Sequence, residues 1–191
     1  MEITEKPNYV LKANEGILYP KNPKLVPLKK AVWIIIALII IGSLIFRENL
    51  FAELSLSAQI LLITLVLVVI VAGGEERVPS PFEIWFFDDY LVIYREKRYY
   101  DRKVTRKEYN KYYYKDISKV EYRKLTNRIQ FEGIIESVWY NYNKDGTLPE
   151  KPTYHRTTDG GICYFYTTAS PEIDFVAEIE KHSPLKVQIV Q

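Results

Sequence analysis

Two apolar runs, Ala31 to Phe46 and Leu54 to Gly74, are separated by the polar stretch Arg47-Glu48-Asn49-Leu50-Phe51-Ala52-Glu53. No Asp, Glu, Lys or Arg interrupts either run. Nothing else in the chain constrains the fold as strongly. A bilayer core about 30 Å thick asks for roughly 20 helical residues at about 1.5 Å each. The second run meets that length. The first meets it once Leu25, Val26 and Leu28, or Leu50 and Phe51, are added. A soluble helix apolar on every side needs a large surrounding core, and the remaining polar-rich chain is too small to supply one. A secretory signal is disfavoured because a second run follows at once and no A-x-A-like site lies between them. The runs therefore predict a two-helix transmembrane hairpin over 31–74, with helices at about 31–46 and 54–74.

Basic residues orient the hairpin. The N-terminal flank carries Lys12, Lys21, Lys24, Lys29 and Lys30, the connecting loop only Arg47, and the far flank Arg77, Arg95, Lys97 and Arg98. An excess of Lys and Arg marks the cytoplasmic side, so both termini are expected in the cytoplasm. Lys29 and Lys30 suit the headgroup region by snorkelling, and Trp33 suits the interface. Gln59 and Thr64 read as residues that hold helices together. With no charge in either span, a transport or proton pathway is not expected.

The flanks differ from the spans and from each other. Residues 1–30 contain Pro7, Pro20, Pro23 and Pro27, which rule out a long helix and predict an extended cytoplasmic arm. After Pro79-Ser80-Pro81 the pattern turns to period two: Phe82, Ile84 and Phe86 alternate with Glu83, Trp85 and Phe87. Asp88-Asp89 marks a turn, and Tyr90 to Tyr94 a second strand. Tyr109 to Tyr114 (YNKYYY) holds β-formers and neither Ala nor Leu, so Tyr99 to Asp116 is assigned to strand. Ser118 to Arg123 and Arg128 to Tyr142 continue the pattern, with Gly133 as a bulge site. Residues 144–161 are expected as a polar loop, with Gly160-Gly161 as a turn, and Ile162 to Thr168 as a strand. Ser170 and Pro171 read as N-cap and first turn of a helix over about 171–182. The tail from Leu185 is expected to be extended. The fold class is thus a transmembrane hairpin followed by an α+β domain over 79–191, a half-open antiparallel β-barrel with a C-terminal capping helix.

These pieces resemble the bacterial membrane-anchored pleckstrin-homology-like protein family. The resemblance rests on the hairpin, FEIWFFDDYLVIYRE, YYYKDISKVEYR with its Asp116 to Val120 step, and PEIDFVAEIEKHSP, and it covers roughly residues 31–184. It implies a PH-like fold in a protein of the bacterial cell membrane. It brings no set of functional residues.

Catalytic and metal chemistry find no purchase. No nucleophile-elbow, Walker, HExxH or dinucleotide motif occurs. His155, His182 and Cys163 lack the spacing of a metal site, Cys163 reads as a small buried hydrophobe, and Asp88-Asp89 reads as a turn. No cofactor, metal or enzymatic activity is expected. One charge feature stands out. Residues 95–128 hold thirteen Lys and Arg against five acids, a net +8, whereas 129–191 carry a net −4. Within that stretch Lys103, Lys107, Lys111, Lys115, Lys119 and Arg123 recur every fourth residue, which keeps them on one face of a strand. One reading makes them a solvated face that keeps strand edges soluble. The other makes them contacts for anionic lipid headgroups, worth on the order of 1 kcal/mol each within about 8 Å. Function is therefore expected to be non-enzymatic: a membrane-anchored binding or regulatory module that docks on anionic lipids or on a protein partner. The alternative is a structural subunit of a membrane transporter or sensor assembly, with Gly42, Ser43, Ala58 and Ala72 as helix contact points. Nucleic acid is not an expected partner.

Overall fold

The computed structural model describes residues 5–101 and 104–191. They form two compact units, one holding the chain up to Ile17 and again from Pro79 to Gln191, the other Leu18–Val78.

The second unit is dominated by two apolar helices. The first, α1 (Val26–Phe46), has Pro27 in its first turn, and the second, α2 (Leu56–Ala72), begins at the N-cap Ser55, whose hydroxyl accepts from Ala58 N–H. Proline fits there because first-turn N–H groups have no intrahelical partner. At 21 residues α1 measures about 31 Å, long and apolar enough to cross a membrane. At 17 residues α2 measures about 26 Å. Lys29, near the start of α1, donates to the carbonyl of Gly73 just past the end of α2 (3.2 Å). Most large side chains of both helices are exposed, among them Leu44, Ile45, Leu61 and Val71. The polar side chains have local duties rather than the expected helix-to-helix role. Gln59 Nε2 donates to the carbonyls of Phe51, Ala52 and Leu54 in the connecting loop. Thr64 donates to Ile60 one turn back in its own helix.

An open sheet builds the other unit. Its strands are β1 (Tyr9–Pro20), β2 (Glu75–Phe86), β3 (Tyr90–Asp101), β4 (Val104–Arg123), β5 (Arg128–Asn141), β6 (Tyr154–Tyr166) and β7 (Gln188–Val190). The first six are neighbours in chain order, and β7 joins β4 in parallel. A helix, α3 (Phe175–His182), follows β6. The outer ends of β1 and β2 belong to the helical unit.

Three features differ from the sequence reading. First, the arm expected over residues 1–30 is extended only along β1, because Pro23–Leu25 form a 3-10 turn and α1 begins at Val26, and it is not separate. Leu11 and Ala13 of β1 pack in the core with Phe82, Ile84, Phe86, Phe131 and Phe165. The apolar helices are thus inserted between two strands of one sheet, and a domain counted from residue 79 lacks its first strand. Second, β6 starts at Tyr154, inside the expected loop. There Gly161 lies opposite Gly133. A β-carbon on Gly133 would collide with the Asp116 carbonyl oxygen and come within 2.8 Å of Ile117 Cα. That close approach accompanies the register shift between Tyr112 and Ile117, where the extra residues lie on β4 opposite Gly133 rather than at Gly133 itself. Third, α3 is capped by Asp174, whose carboxylate accepts from Ala177 N–H (3.1 Å). Ser170 is buried instead against β1: its hydroxyl accepts from Asn14 N–H (2.8 Å) and donates to the Asn14 carbonyl (3.2 Å).

Candidate functional surface

The basic row expected along one strand face lies on β4. Tyr112 and Tyr114 point to the core and Ile117, Val120 and Tyr122 pack there after the bulge, so two register irregularities return the strand to its original alternation. Lys107, Lys111, Lys115, Lys119 and Arg123 therefore share the opposite, outer face. Lys103 lies outside the described residues.

The row is locally answered along much of its length. Lys107 pairs with Glu96 (3.2 Å), and Glu121 takes both Lys119 and Arg123. Lys111 Nζ sits 4.1 Å from the Tyr90 ring centre and 4.4 Å from that of Tyr113, and Lys107 Nζ sits 5.5 Å from that of Tyr94. Cations over aromatic faces are attracted by the ring quadrupole. Lys115 is exposed, 5.9 Å from the Tyr113 ring centre. Trp85 stacks on Tyr94 (4.6 Å), which touches Tyr109 in turn (5.1 Å). The tyrosines interleaved with lysine in the sequence thus form, with Trp85, an aromatic band across β2, β3 and β4.

A second charged cluster occupies the inner face and has no counterpart in the sequence reading. Arg95 on β3 is fully buried. Its Nε donates to Glu15 Oε1 (2.5 Å), and Nη2 to Glu15 Oε2 (3.2 Å) and to the Tyr164 carbonyl (2.9 Å). Glu15 is on β1 and Tyr164 on β6, the two ends of the strand order. One side chain thus reaches both ends of the sheet. Glu108 on β4 receives Arg98 (2.9 Å), Arg106 and Arg95 (3.6 Å). Burial works against its charge, but the three guanidinium groups outweigh burial and lower its pKa. Burial also opposes the charge on Arg95, and Glu15 more than restores it, raising its pKa. Burial raises the Cys163 thiol despite Arg95 nearby, which suits an inert thiol. No alternating or helical pattern singles out Arg95, because it follows Leu91 and Ile93 in phase and simply replaces a hydrophobe.

Among the described residues no cluster of His, Cys, Asp and Glu is arranged to hold a metal ion. His155 pairs with Glu136 (2.8 Å). His182 stacks on Tyr9 at 3.6 Å. Asn8 donates to Asp88 in the β2–β3 turn (2.7 Å). An open cleft at the far end of the sheet is lined by Tyr122, Asn127, Ile129, Thr167 and the residues leading into α3.

Comparison with family models, curated proteins and solved structures gives no match to this chain.

Proposed function

We propose that this protein is a non-enzymatic docking module anchored in the membrane. In this reading α1 and α2 form a transmembrane hairpin of the bacterial cell membrane, both termini are cytoplasmic, and the sheet unit has a PH-like fold that meets anionic lipid headgroups. The carrying observation is a 21-residue apolar helix with exposed side chains in one chain with a sheet face of lysine and tyrosine. An anchored domain needs only weak contacts, because tethering supplies a high effective concentration. The local answering of Lys107, Lys119 and Arg123 lowers the charge left for lipid. Lys111 and Lys115 retain theirs, held against rings that suit a headgroup interface.

The test is lysine accessibility in the full chain, reconstituted in vesicles of neutral or of anionic lipid. A water-soluble acylating reagent is expected to label Lys111 and Lys115 more slowly in anionic vesicles at low salt, and equally in both at high salt. Equal labelling at low salt refutes docking through this face.

A further inference from the structure

The outer face of the sheet changes character after the irregular stretch of β4. Residues directly opposite one another on neighbouring strands share a face. One cross-strand row on the outer face runs Val190, Arg123, Arg128 and Tyr166, from β7 to β6. Another runs Lys119, Glu132 and Ile162. All of these residues belong to the sheet unit.

The first row sets two arginines side by side. Like charges directly opposite are destabilising, and this pair is incompletely answered. Arg123 donates through Nε (3.1 Å) and Nη2 (2.9 Å) to Glu121 Oε2, but Glu121 also takes Lys119. Arg128 Nη2 donates to the Gln130 amide oxygen (2.8 Å), and its guanidinium lies 4.7 Å from the Tyr164 ring centre. Arg128 Nε is buried with no hydrogen-bond partner among the described residues. Lys124, in the turn between the two arginines, is exposed. Four cations, Lys119, Arg123, Lys124 and Arg128, thus stand against the carboxylates of Glu121 and Glu132 alone in these two rows and the turn.

That turn is held in place and apolar at its tip. Lys124–Thr126 form a single 3-10 turn. The Thr167 N–H and hydroxyl both donate to the Asn127 carbonyl (2.9 and 3.2 Å), which ties the turn to the end of β6. Leu125 is 88% exposed, the Arg123 side chain is 42% exposed, and Val190 beside it is exposed as well. A lone exposed leucine is ordinary on a protein surface. Here it sits between adjacent guanidiniums short of counter-charge, a combination suited to an anion at the edge of an apolar medium. Guanidinium forks match phosphate oxygens.

We propose that Arg123 and Arg128, with Lys124, clasp a phosphate of an anionic lipid while Leu125 and Val190 enter the acyl boundary beside it. The clasp rests on the membrane-anchored reading above and deepens it. It lies on the same outer face as Lys111 and Lys115, which supply diffuse charge where the arginine pair supplies the specific contact.

The full chain carrying Leu125→Cys, labelled with an environment-sensitive fluorophore, tests this. Cys163 is buried and stays in place. The protein is reconstituted in phosphatidylcholine vesicles with or without phosphatidylglycerol. Emission at position 125 is expected to rise about twofold with phosphatidylglycerol at low salt and to fall back at high salt. Arg123→Gln with Arg128→Gln is expected to abolish the rise. Arg123→Lys with Arg128→Lys, which keeps the charge and loses the forks, is expected to weaken it, with near-ultraviolet circular dichroism confirming the fold of both. A rise that survives the double glutamine change overturns the clasp. So does an equal rise in phosphatidylcholine vesicles given inorganic phosphate, which would make free phosphate the ligand. A silent probe at 125 with Lys111 and Lys115 still protected in anionic vesicles overturns the clasp and spares docking through the outer face. A silent probe with both lysines unprotected overturns the two together.

Discussion

Replacing Arg95 by methionine should be the most damaging single change in the sheet unit. The side chain is fully buried, and Glu15, its main partner, is 1% exposed. Methionine fills similar space but leaves the Glu15 carboxylate without the two N–H donors at 2.5 and 3.2 Å, and the Tyr164 carbonyl without its donor at 2.9 Å. Removing one partner of a buried ion pair typically costs about 3–5 kcal/mol. At about 1.4 kcal/mol per tenfold change, the unfolded fraction rises by roughly a hundred- to a few-thousandfold. Glu15→Leu should cost less, because Arg95 keeps the Tyr164 carbonyl and Glu108 at 3.6 Å. The double change Glu15→Leu with Arg95→Met removes both charges. It should recover most of the loss, since apolar replacement of a whole buried pair is often neutral or stabilising by about 1–4 kcal/mol. The assay is urea unfolding of the full chain in a mild non-ionic detergent, followed by near-ultraviolet circular dichroism of the packed aromatics. If Arg95→Met lies within about 1 kcal/mol of the parent, or the double variant loses the sum of the single losses, the buried-pair account is wrong.

Other predictions test different parts of the fold. Gly133→Ala should destabilise by about 1–3 kcal/mol or more, because its β-carbon meets backbone of Asp116 and Ile117 that cannot swing aside; urea midpoints check this. Ser170→Ala removes both hydrogen bonds that hold Asn14 and should cost about 1–3 kcal/mol, with faster amide exchange in β1 as the second readout. Glu108 has a lowered pKa in the fold, so its stabilisation is present above its unfolded value of about 4.3 and fades as pH falls through the folded one. Glu108→Gln should therefore flatten the acid limb of a stability–pH profile, and an unchanged limb contradicts the assignment. In the opposite direction, burial raises Tyr114 to about 12. Its share of stability holds below about pH 10 and is lost as pH rises through 12, which ultraviolet titration of Tyr114→Phe against the parent would reveal.

The sequence discloses elements more readily than their assembly. The apolar helices were legible because charge is absent over long runs, and β2 and β3 because apolar and polar residues alternate. Gly133 marked an irregularity in the sequence, but the extra residues lie on its neighbours β4 and β6, which a glycine in β5 does not disclose. The participation of β1 was not, since four prolines around it suggested an arm, and its partners come after the inserted helices. Helix α3 starts later than Ser170-Pro171 implies because Ser170 is committed to Asn14, 156 positions away, and local capping rules do not see such partners. The lysine row was legible as a spacing, yet its partners Glu96 and Glu121 sit among the same residues and were counted only as dilution. The inner Arg95 cluster could not be read at all, because an arginine in phase with Leu91 and Ile93 looks like a misplaced surface residue until its carboxylates arrive from other strands.

The insertion of the two apolar helices within the sheet imposes a schedule on biosynthesis. Strand β1 emerges first, yet its clasp at Arg95 comes 80 residues later and its anchor at Ser170 comes 156 residues later. At about 5–20 residues per second, β1 waits roughly 8–30 s for the last of these. During that interval the ribosome delivers both apolar helices. On the membrane-anchored reading proposed above, the helices enter the bilayer before Ser170 is made, so integration precedes completion of the domain. A nascent chain stalled before Ser170 should therefore hold a protease-sensitive N-terminus even with its helices already integrated.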